Sequence, residues 1–303
     1  MTSYITAVIR LLTWYPLRRL LALAPPPRVW ALLLSKGPVI ARLFRQRVAD
    51  LADTARYLGL ENPDDLAARA LVMHLLNELD IFYFNRPGRL LPYLRVHGAE
   101  HIQSRKPLIV LFSHFGPNTL FLPILAKQPG YAQIGLAPSE LIKENKVTSL
   151  SQKKVLQTKD ALLRALGIPF LSSQAGLRKA VKHLRSGGIV GVAGDGRFGR
   201  HFIPVPFLDT QAFFSPGPFK LAFLTKASLV PAFAYRRKDR VDLLFEPPLS
   251  AGEPATGKRA FTGAMLSRYA RRLEAHVRQA PALYLYYVLL TRRHTTEVNR
   301  FID

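Results

Sequence analysis

Two short apolar runs in this chain are each followed at once by a turn that carries a reactive side chain. His114 comes two residues after the end of Leu108–Phe112, and Asp195 comes two residues after the end of Ile189–Ala193, in a glycine-rich turn. Continuous apolar runs of this length predict buried strands, and open α/β sheets bind ligands beyond the carboxyl ends of their strands. The repeated pattern predicts that both turns line one cleft. Taken alone, each motif is also consistent with an ordinary turn residue that only stabilises its own loop.

Helical periodicity dominates the chain before residue 90, and strands alternate with helices after it. The spacing of apolar residues predicts helices over 4–15 and 48–85. Later segments predict strands at 94–96, 132–137, 168–171, 229–235 and 241–245, and a long final helix at 258–278. This alternation is typical of the α/β class. We therefore divide the chain into an N-terminal helical region, residues 1–90, and an α/β domain, residues 91–303.

The N-terminal region combines apolar helical faces with a strong positive charge. Through residue 60 it has nine basic residues against two acidic ones, and Trp14 and Trp30 lie among its apolar positions. Amphipathic helices bordered by tryptophan and arginine are typical of a membrane interface. The alternative is that these faces pack against a globular core. The charge favours an anionic membrane surface.

The N-terminal sequence predicts neither a membrane span nor a cleaved signal peptide. Uninterrupted apolar runs stay below the roughly 18 residues that cross a bilayer. Residues 22–24 have the A-x-A form of a signal-peptidase site, but Arg10, Arg18 and Arg19 interrupt the apolar stretch before it. We expect a protein that is retained on the cytosolic side.

The whole chain is strongly basic, with 43 Lys and Arg against 20 Asp and Glu, a net charge of +23. Residues 143–185 contribute ten basic residues and only two acidic ones. Such a field attracts anionic lipid, acidic proteins or nucleic acid. No nucleic-acid-binding motif is recognisable, so we expect no nucleic acid partner. The chain has no cysteine, which excludes disulfides, thiolate metal sites and cysteine nucleophiles, and its histidine spacing predicts no metal site.

Several stretches, in their order along the chain, resemble the lysophospholipid acyltransferase superfamily. The resemblance is closest to its branch of bacterial lipid A biosynthesis (lauroyl and myristoyl) acyltransferases. The stretches are the basic apolar N-terminal region, LIVLFSHFG, GIVGVAGDGR, SPGPFKLAFLTKASLVPAFAYR and the tail PALYLYYVLLTRR. The resemblance implies an α/β sandwich, in which a mixed β-sheet is flanked by helices as in glycerol-3-phosphate acyltransferase.

The resemblance also implies a reaction and its partners. A fatty acyl group would pass from acyl carrier protein or coenzyme A to a hydroxyl or amine of a lipid or other hydrophobic acceptor. The acyl thioester is a co-substrate, and no further cofactor is implied. Acyl carrier protein is strongly acidic, and the basic surface of residues 143–185 is its expected docking site.

The superfamily signature is a histidine followed five positions later by an acidic residue, and this chain departs from it. His114 stands at the position of the general base, but Thr119 stands where the acid belongs. We hypothesise that Asp195 replaces that acid. A neutral hydrogen bond from Thr119 or Asn118 to the ring is the alternative. A non-catalytic relative that binds acyl chains or membranes is the alternative function.

The implied chemistry requires further groups around the base. An oxyanion at the thioester carbonyl needs hydrogen-bond donors, for which backbone N–H groups near Gly116 and the Arg197 side chain are candidates. Arg197 and Arg200 are candidates for a phosphate on the acceptor. The acyl chain needs an apolar groove, although aromatic side chains commonly belong to the core. The aromatic candidates for that groove are Phe115, Phe121, Phe198, Phe213 and Phe214.

Overall fold

A computed structural model describes residues 17–84, 86–103, 107–134, 150–171, 176–197, 201–250, 257–293 and residue 302. The predicted helix at 4–15, Trp14, Phe198 and Arg200 lie outside these residues. The same holds for the end of the strand predicted at 132–137. The predicted boundary near residue 90 between the helical region and the α/β domain stays a prediction.

A seven-stranded mixed sheet forms the centre of the molecule. Its order is β1-β9-β8-β2-β5-β3-β4, in which β8 and β9 are antiparallel and all other neighbours are parallel. A separate antiparallel hairpin pairs β6 with β7. The strands are β1 (Leu94–His97), β2 (Leu108–Phe112), β3 (Tyr131–Ile134), β4 (Phe170–Leu171), β5 (Ile189–Ala193), β6 (Ile203–Phe207), β7 (Thr210–Phe214), β8 (Ser228–Arg236) and β9 (Val241–Phe245).

Helices cover both faces of this sheet, and the predicted α/β class and mixed sheet are confirmed. Ile109 and Leu111 of β2 belong to one buried apolar cluster, while Leu108, Val110 and Phe112 belong to another. The helices are α1 (Pro26–Ser35), α2 (Gly37–Leu43), α3 (Arg45–Tyr57), α4 (Pro63–Asp80), α5 (Pro87–Leu90), α6 (Glu100–Gln103), α7 (Leu122–Leu125), α8 (Leu150–Ala165), α9 (Gly176–Arg185), α10 (Gly217–Thr225), α11 (Lys258–Gln279) and α12 (Leu285–Arg293).

The hairpin of β6 and β7 is absent from the sequence prediction. Its two-residue turn consists of Leu208 and Asp209, with φ angles of 52° and 60°. Such turns usually carry Asn or Gly at positions with positive φ, so Leu-Asp gives no hairpin signal. The chain nevertheless turns there because Phe207 and Phe214 pack edge to face in the core.

Trp30 corrects part of the membrane prediction. Its side chain is fully buried, together with Val29 and Leu33 on the same helix α1. The indole Nε1 donates a hydrogen bond of 2.9 Å to Asp80 Oδ1 at the end of α4. Trp30 therefore faces the core rather than a membrane interface, because the buried carboxylate needs its N–H.

The same carboxylate pairs with a buried arginine at the end of β8. Arg236 Nη2 donates to Asp80 Oδ2, and its guanidinium lies 4.9 Å from the centre of the Trp30 ring. Arg236 also donates to Asn77 Oδ1 at 3.2 Å, and Asn77 Nδ2 donates to the Gly116 carbonyl at 3.0 Å. This network connects the N-terminal helices to the loop that follows β2.

We predict that Asp80→Ala lowers the free energy of unfolding by about 3–5 kcal/mol, because it leaves the Arg236 guanidinium buried without its counter-charge. Urea denaturation measures the loss. Asp53→Ala is the control, since Asp53 forms an exposed ion pair with Arg56 and its removal changes stability by less than about 1 kcal/mol. Equal losses in the two variants would contradict the prediction.

Candidate active site

The register of two parallel strands brings the two sequence motifs together. Phe112 at the end of β2 pairs with Ala193 at the end of β5. His114 and Asp195 each lie two residues beyond that pair. Neighbouring strands are about 4.8 Å apart, so the equivalent positions beyond them are adjacent. The two predicted turns therefore lie side by side, and their lining of one cleft stays a prediction.

His114 and Asp195 are joined by two hydrogen bonds. The backbone N–H of His114 donates to Asp195 Oδ2 at 2.7 Å, and His114 Nδ1 lies 2.8 Å from Asp195 Oδ1. The Asp195 side chain is fully buried, whereas 41% of the His114 side chain is exposed. The ring therefore reaches from a buried carboxylate toward solvent.

This pairing determines which ring nitrogen carries the proton. A carboxylate only accepts hydrogen bonds, so the contact with Asp195 places the proton of neutral His114 on Nδ1. Nε2, on the opposite edge of the ring, then keeps its lone pair. A neutral imidazole in this tautomer is able to take a proton from a group that approaches from solvent.

Three tyrosines enclose the buried carboxylate and the strand end behind it. Tyr284 OH donates to Asp195 Oδ2 at 3.1 Å, Tyr287 OH donates to the Asp195 carbonyl at 2.5 Å, and Tyr269 OH donates to the Phe112 carbonyl at 2.8 Å. Burial raises the pKa of each phenol well above its usual value, and the nearby charge of Asp195 raises it further. All three hydroxyls therefore remain protonated donors.

The turn after His114 requires glycine. Gly116 has a φ of +62°, and a Cβ at this position would lie 2.0 Å from the Ala234 carbonyl oxygen. Its N–H donates to the Leu283 carbonyl at 2.9 Å. The Gly116 N–H is therefore already used and does not point to an oxyanion. The oxyanion role of other backbone N–H groups near Gly116 stays a prediction.

Thr119 does not hold the histidine ring. Its hydroxyl is buried without a hydrogen-bond partner, and the ring nitrogen it was expected to reach is bound by Asp195. Asn118 begins a short 3₁₀ turn, and its N–H donates to the Gly116 carbonyl at 2.9 Å. The alternative in which Thr119 orients His114 is therefore wrong for this structure, and the version with the Asn118 side chain stays a prediction.

Three of the proposed groove residues lie in the core instead. Phe115, Phe121 and Phe214 are fully buried. Phe115 packs edge to face against Tyr235, with ring centres 5.0 Å apart, because the chain turns it inward directly after His114. Phe213 is half-buried on β7. These packed rings leave Phe115, Phe121 and Phe214 no surface to offer an acyl chain in this conformation.

Arg197 lies close to the pair, two residues after Asp195. Its guanidinium donates to the Phe213 carbonyl and stacks 4.1 Å from the centre of the Phe202 ring. Burial lowers the pKa of this guanidinium, whereas Tyr287, Tyr284 and Asp195 raise it. The site therefore includes a partly desolvated positive charge next to the buried carboxylate.

Sequence reasoning did not assign the tyrosines of the tail to the site. Tyr284 and Tyr287 are three residues apart, a spacing that places both side chains on one face of a helix. That spacing was the available signal. Asn77, which donates a hydrogen bond to the Gly116 carbonyl, had no such signal. A single asparagine inside a helix belongs to no sequence pattern that predicts so distant a contact.

Comparisons with known proteins cover most of the chain. The family model described as bacterial lipid A biosynthesis acyltransferase matches residues 72–295, a range that includes His114, Asp195 and Tyr287. Among solved structures, the chain is similar to the crystal structure of the 1-acyl-sn-glycerophosphate acyltransferase PlsC from Thermotoga maritima. That similarity has a TM-score of 0.40 and 16% identity, over 83% of this chain and 97% of that chain. No curated protein sequence matches.

Two kinds of feature are absent from the described residues. None of their helices is both long and apolar enough to cross a bilayer. In the same part of the chain, no group of three or more His, Asp or Glu side chains is placed to hold a metal ion.

We predict that Gly116→Ala lowers the free energy of unfolding by about 1–3 kcal/mol, because Ala strains the positive φ and clashes with the Ala234 carbonyl. Gly263→Ala is the matched control. Position 263 lies inside α11 with no atom within 4 Å of an added Cβ, so Ala there raises helix stability by up to about 1 kcal/mol. Urea denaturation of both variants checks the opposite signs, and a Gly116→Ala variant as stable as wild type would refute the assigned strain.

Proposed function

The chain belongs to the bacterial lipid A biosynthesis acyltransferase family, which makes it an acyltransferase, and we propose that it uses His114 as the general base of acyl transfer from a thioester. The acceptor is a hydroxyl or amine of a lipid or other hydrophobic molecule. The hydrogen bond between His114 Nδ1 and the buried Asp195 carries the proposal, because it leaves Nε2 available as the base.

The proton balance of this reaction requires only one base. As the acceptor oxygen or nitrogen bonds to the thioester carbonyl carbon, His114 Nε2 takes its proton and the carbonyl oxygen becomes an oxyanion. When the carbon–sulfur bond breaks, the imidazolium returns the proton to the leaving thiolate. Asp195 stays ionised throughout and stabilises the imidazolium, as the acid of an acyl-transfer triad does.

Asp195 fills the role that the acidic residue of the signature has in this superfamily. An acid serves a histidine base by its position relative to Nδ1, whatever its place in the sequence. At 2.8 Å, Asp195 Oδ1 has that position, while the Thr119 hydroxyl has no hydrogen bond to the ring. Arg197 is the proposed oxyanion or acceptor contact, and Arg200 is a further candidate for an acceptor phosphate.

The donor is proposed to be acyl carrier protein, with coenzyme A as the alternative. Helix α9 contributes Arg178, Lys179, Lys182 and Arg185, all exposed, and has no acidic residue. An exposed face with one sign of charge steers an acidic protein toward it. The helix is followed by β5, and Asp195 lies in the turn after that strand.

Membrane association is proposed through the exposed side chains of the N-terminal helices and not through the buried Trp30. The described N-terminal segment exposes six apolar side chains: Leu17, Leu20, Leu23, Leu32, Val39 and Leu43. Exposed basic residues lie among them, at Arg19, Arg28, Lys36, Arg42 and Arg45. Apolar side chains interleaved with cations fit the anionic cytoplasmic face of a bacterial inner membrane.

We predict that wild-type protein consumes a fatty acyl thioester in the presence of a lipid acceptor and that His114→Ala does not. Asp195→Asn lowers kcat by about 10³–10⁴-fold, because its side chain no longer stabilises the imidazolium. Thiol release, measured with acyl carrier protein and coenzyme A thioesters side by side, follows the reaction and identifies the donor.

His97→Ala is the control for this experiment, since His97 is an exposed residue of β1 whose nearest acidic contact is 3.8 Å away. Its turnover stays at the wild-type level. Unchanged turnover in Asp195→Asn would remove Asp195 from the mechanism. Wild type without thiol release above background would favour the non-catalytic alternative, and equal release above background by wild type and His114→Ala would remove His114 from the mechanism.

We predict that the full chain co-sediments with vesicles containing phosphatidylglycerol and binds phosphatidylcholine vesicles far less, with binding that weakens as salt rises. Leu20→Glu and Leu43→Glu reduce the bound fraction, because they place a carboxylate where an acyl chain would lie. Leu177→Glu, an equally exposed leucine on α9, leaves it unchanged. Equal losses for all three variants would argue against the N-terminal surface.

A further inference from the structure

Two tyrosines of the C-terminal aromatic segment contact the His114 and Asp195 pair from one side. Tyr284 reaches the Asp195 carboxylate, and Tyr287, one helical turn later, reaches the Asp195 carbonyl. The Tyr287 ring also lies flat on the His114 ring, with centres 4.2 Å apart and planes within 1° of parallel. One segment thus touches both members of the pair.

The contact from Tyr284 settles how the carboxylate is oriented. Asp195 Oδ2 accepts from the His114 N–H and from Tyr284 OH, which leaves Oδ1 to His114 Nδ1. A carboxylate with donors on both oxygens is fixed in rotation, and in a buried position each missing donor is costly. Tyr284 therefore keeps Oδ1 directed at the ring.

The contact from Tyr287 settles the plane of the ring. The hydrogen bond to Asp195 holds one edge of the imidazole, but a single bond along that edge permits the ring to tilt. A parallel aromatic ring against one face removes this freedom and directs the Nε2 lone pair. The electron-rich face of tyrosine also favours the imidazolium that forms when Nε2 takes a proton.

We propose that Tyr284 and Tyr287 are positioning residues for acyl transfer, acting through Asp195 and His114 respectively. Together, from the C-terminal segment that ends in α12, they support the His114 ring, which Thr119 does not. The inference rests on the proposed function for its kinetic effects. Its structural content, a histidine held in place by Tyr287, is independent of turnover.

The chain provides a matched control next to Tyr287. Tyr286 stacks on His74 of α4, with ring centres 3.5 Å apart and planes 6° from parallel. Both tyrosines therefore lie on α12 and each covers one histidine, but only His114 belongs to the site. Substitution at Tyr286 reports the cost of losing such a stack without touching the base.

Kinetics of four variants test the proposal. Tyr287→Leu lowers kcat by about 100-fold with little change in KM, the size expected when a reacting group is misplaced by about 1 Å. Tyr287→Phe keeps the stack and recovers at least a tenth of wild-type kcat. Tyr284→Phe lowers kcat by about tenfold, and Tyr286→Leu leaves kcat within about twofold of wild type. Urea denaturation of each variant separates these effects from loss of folded protein.

A spectroscopic measurement keeps the test decisive if the proposed reaction is wrong. Proton NMR of ¹⁵N-histidine-labelled protein, assigned with His114→Ala, is expected to show a protected Nδ1–H of His114 in wild type, Tyr287→Phe and Tyr286→Leu. Tyr287→Leu loses that signal to solvent exchange while remaining folded. If wild-type protein shows this pattern of signals but does not turn over a thioester, the proposed function is wrong and the positioning of His114 by Tyr287 still holds.

Two results would overturn the inference. The first is a Tyr287→Leu variant that retains the protected Nδ1–H and wild-type kcat. The second is a loss of the signal in Tyr286→Leu equal to that in Tyr287→Leu, because the effect would then belong to α12 as a whole and not to the stack on His114.

Discussion

The in-register parallel pairing of β2 with β5 is the constraint on which the site depends. Phe112 and Ala193 face each other, so the residues two positions further on, His114 and Asp195, emerge side by side. A slip of one residue would move the two side chains apart by about 3.3 Å and exchange the side chains that β2 packs into the two apolar clusters. All five residues of β2 are buried, and such complete burial makes a slip costly. Core packing therefore fixes the distance between a proposed base and its acid.

Elements from both ends of the chain hold the loop that presents His114. Asn77 of α4 binds the Gly116 carbonyl, and Leu283, just before α12, binds the Gly116 N–H. Asn77 in turn connects to Arg236, whose partner Asp80 also receives the N–H of Trp30. Each buried charge in this path has a partner, as low-dielectric surroundings demand. The stability of the N-terminal helices is thereby linked to the shape of the site.

An acid on a neighbouring strand is physically equivalent to an acid within the histidine motif. What matters to the imidazole is a carboxylate oxygen near Nδ1, desolvated and fixed in orientation. Asp195 meets these conditions through β5 and through Tyr284, and Thr119 meets none of them. In the proposed mechanism, the acid therefore comes from the turn after β5 instead of from the histidine motif. The same reasoning explains why an aromatic tail far along the chain becomes part of the site.

The sequence by itself determined the α/β class, the core strands β2, β5 and β9 at their observed bounds, and the pairing of the His114 turn with the Asp195 turn. Local patterns sufficed there, because an apolar run followed by a polar turn has one stable arrangement in such a sheet. Only the tertiary structure decided which face of α1 is buried, and hence that Trp30 binds Asp80. It also decided that the Gly116 N–H is occupied, that Phe115, Phe121 and Phe214 belong to the core, and that Tyr287 covers His114. These outcomes depend on contacts between residues that are distant in sequence. A local sequence pattern does not specify which distant residues will pack against it.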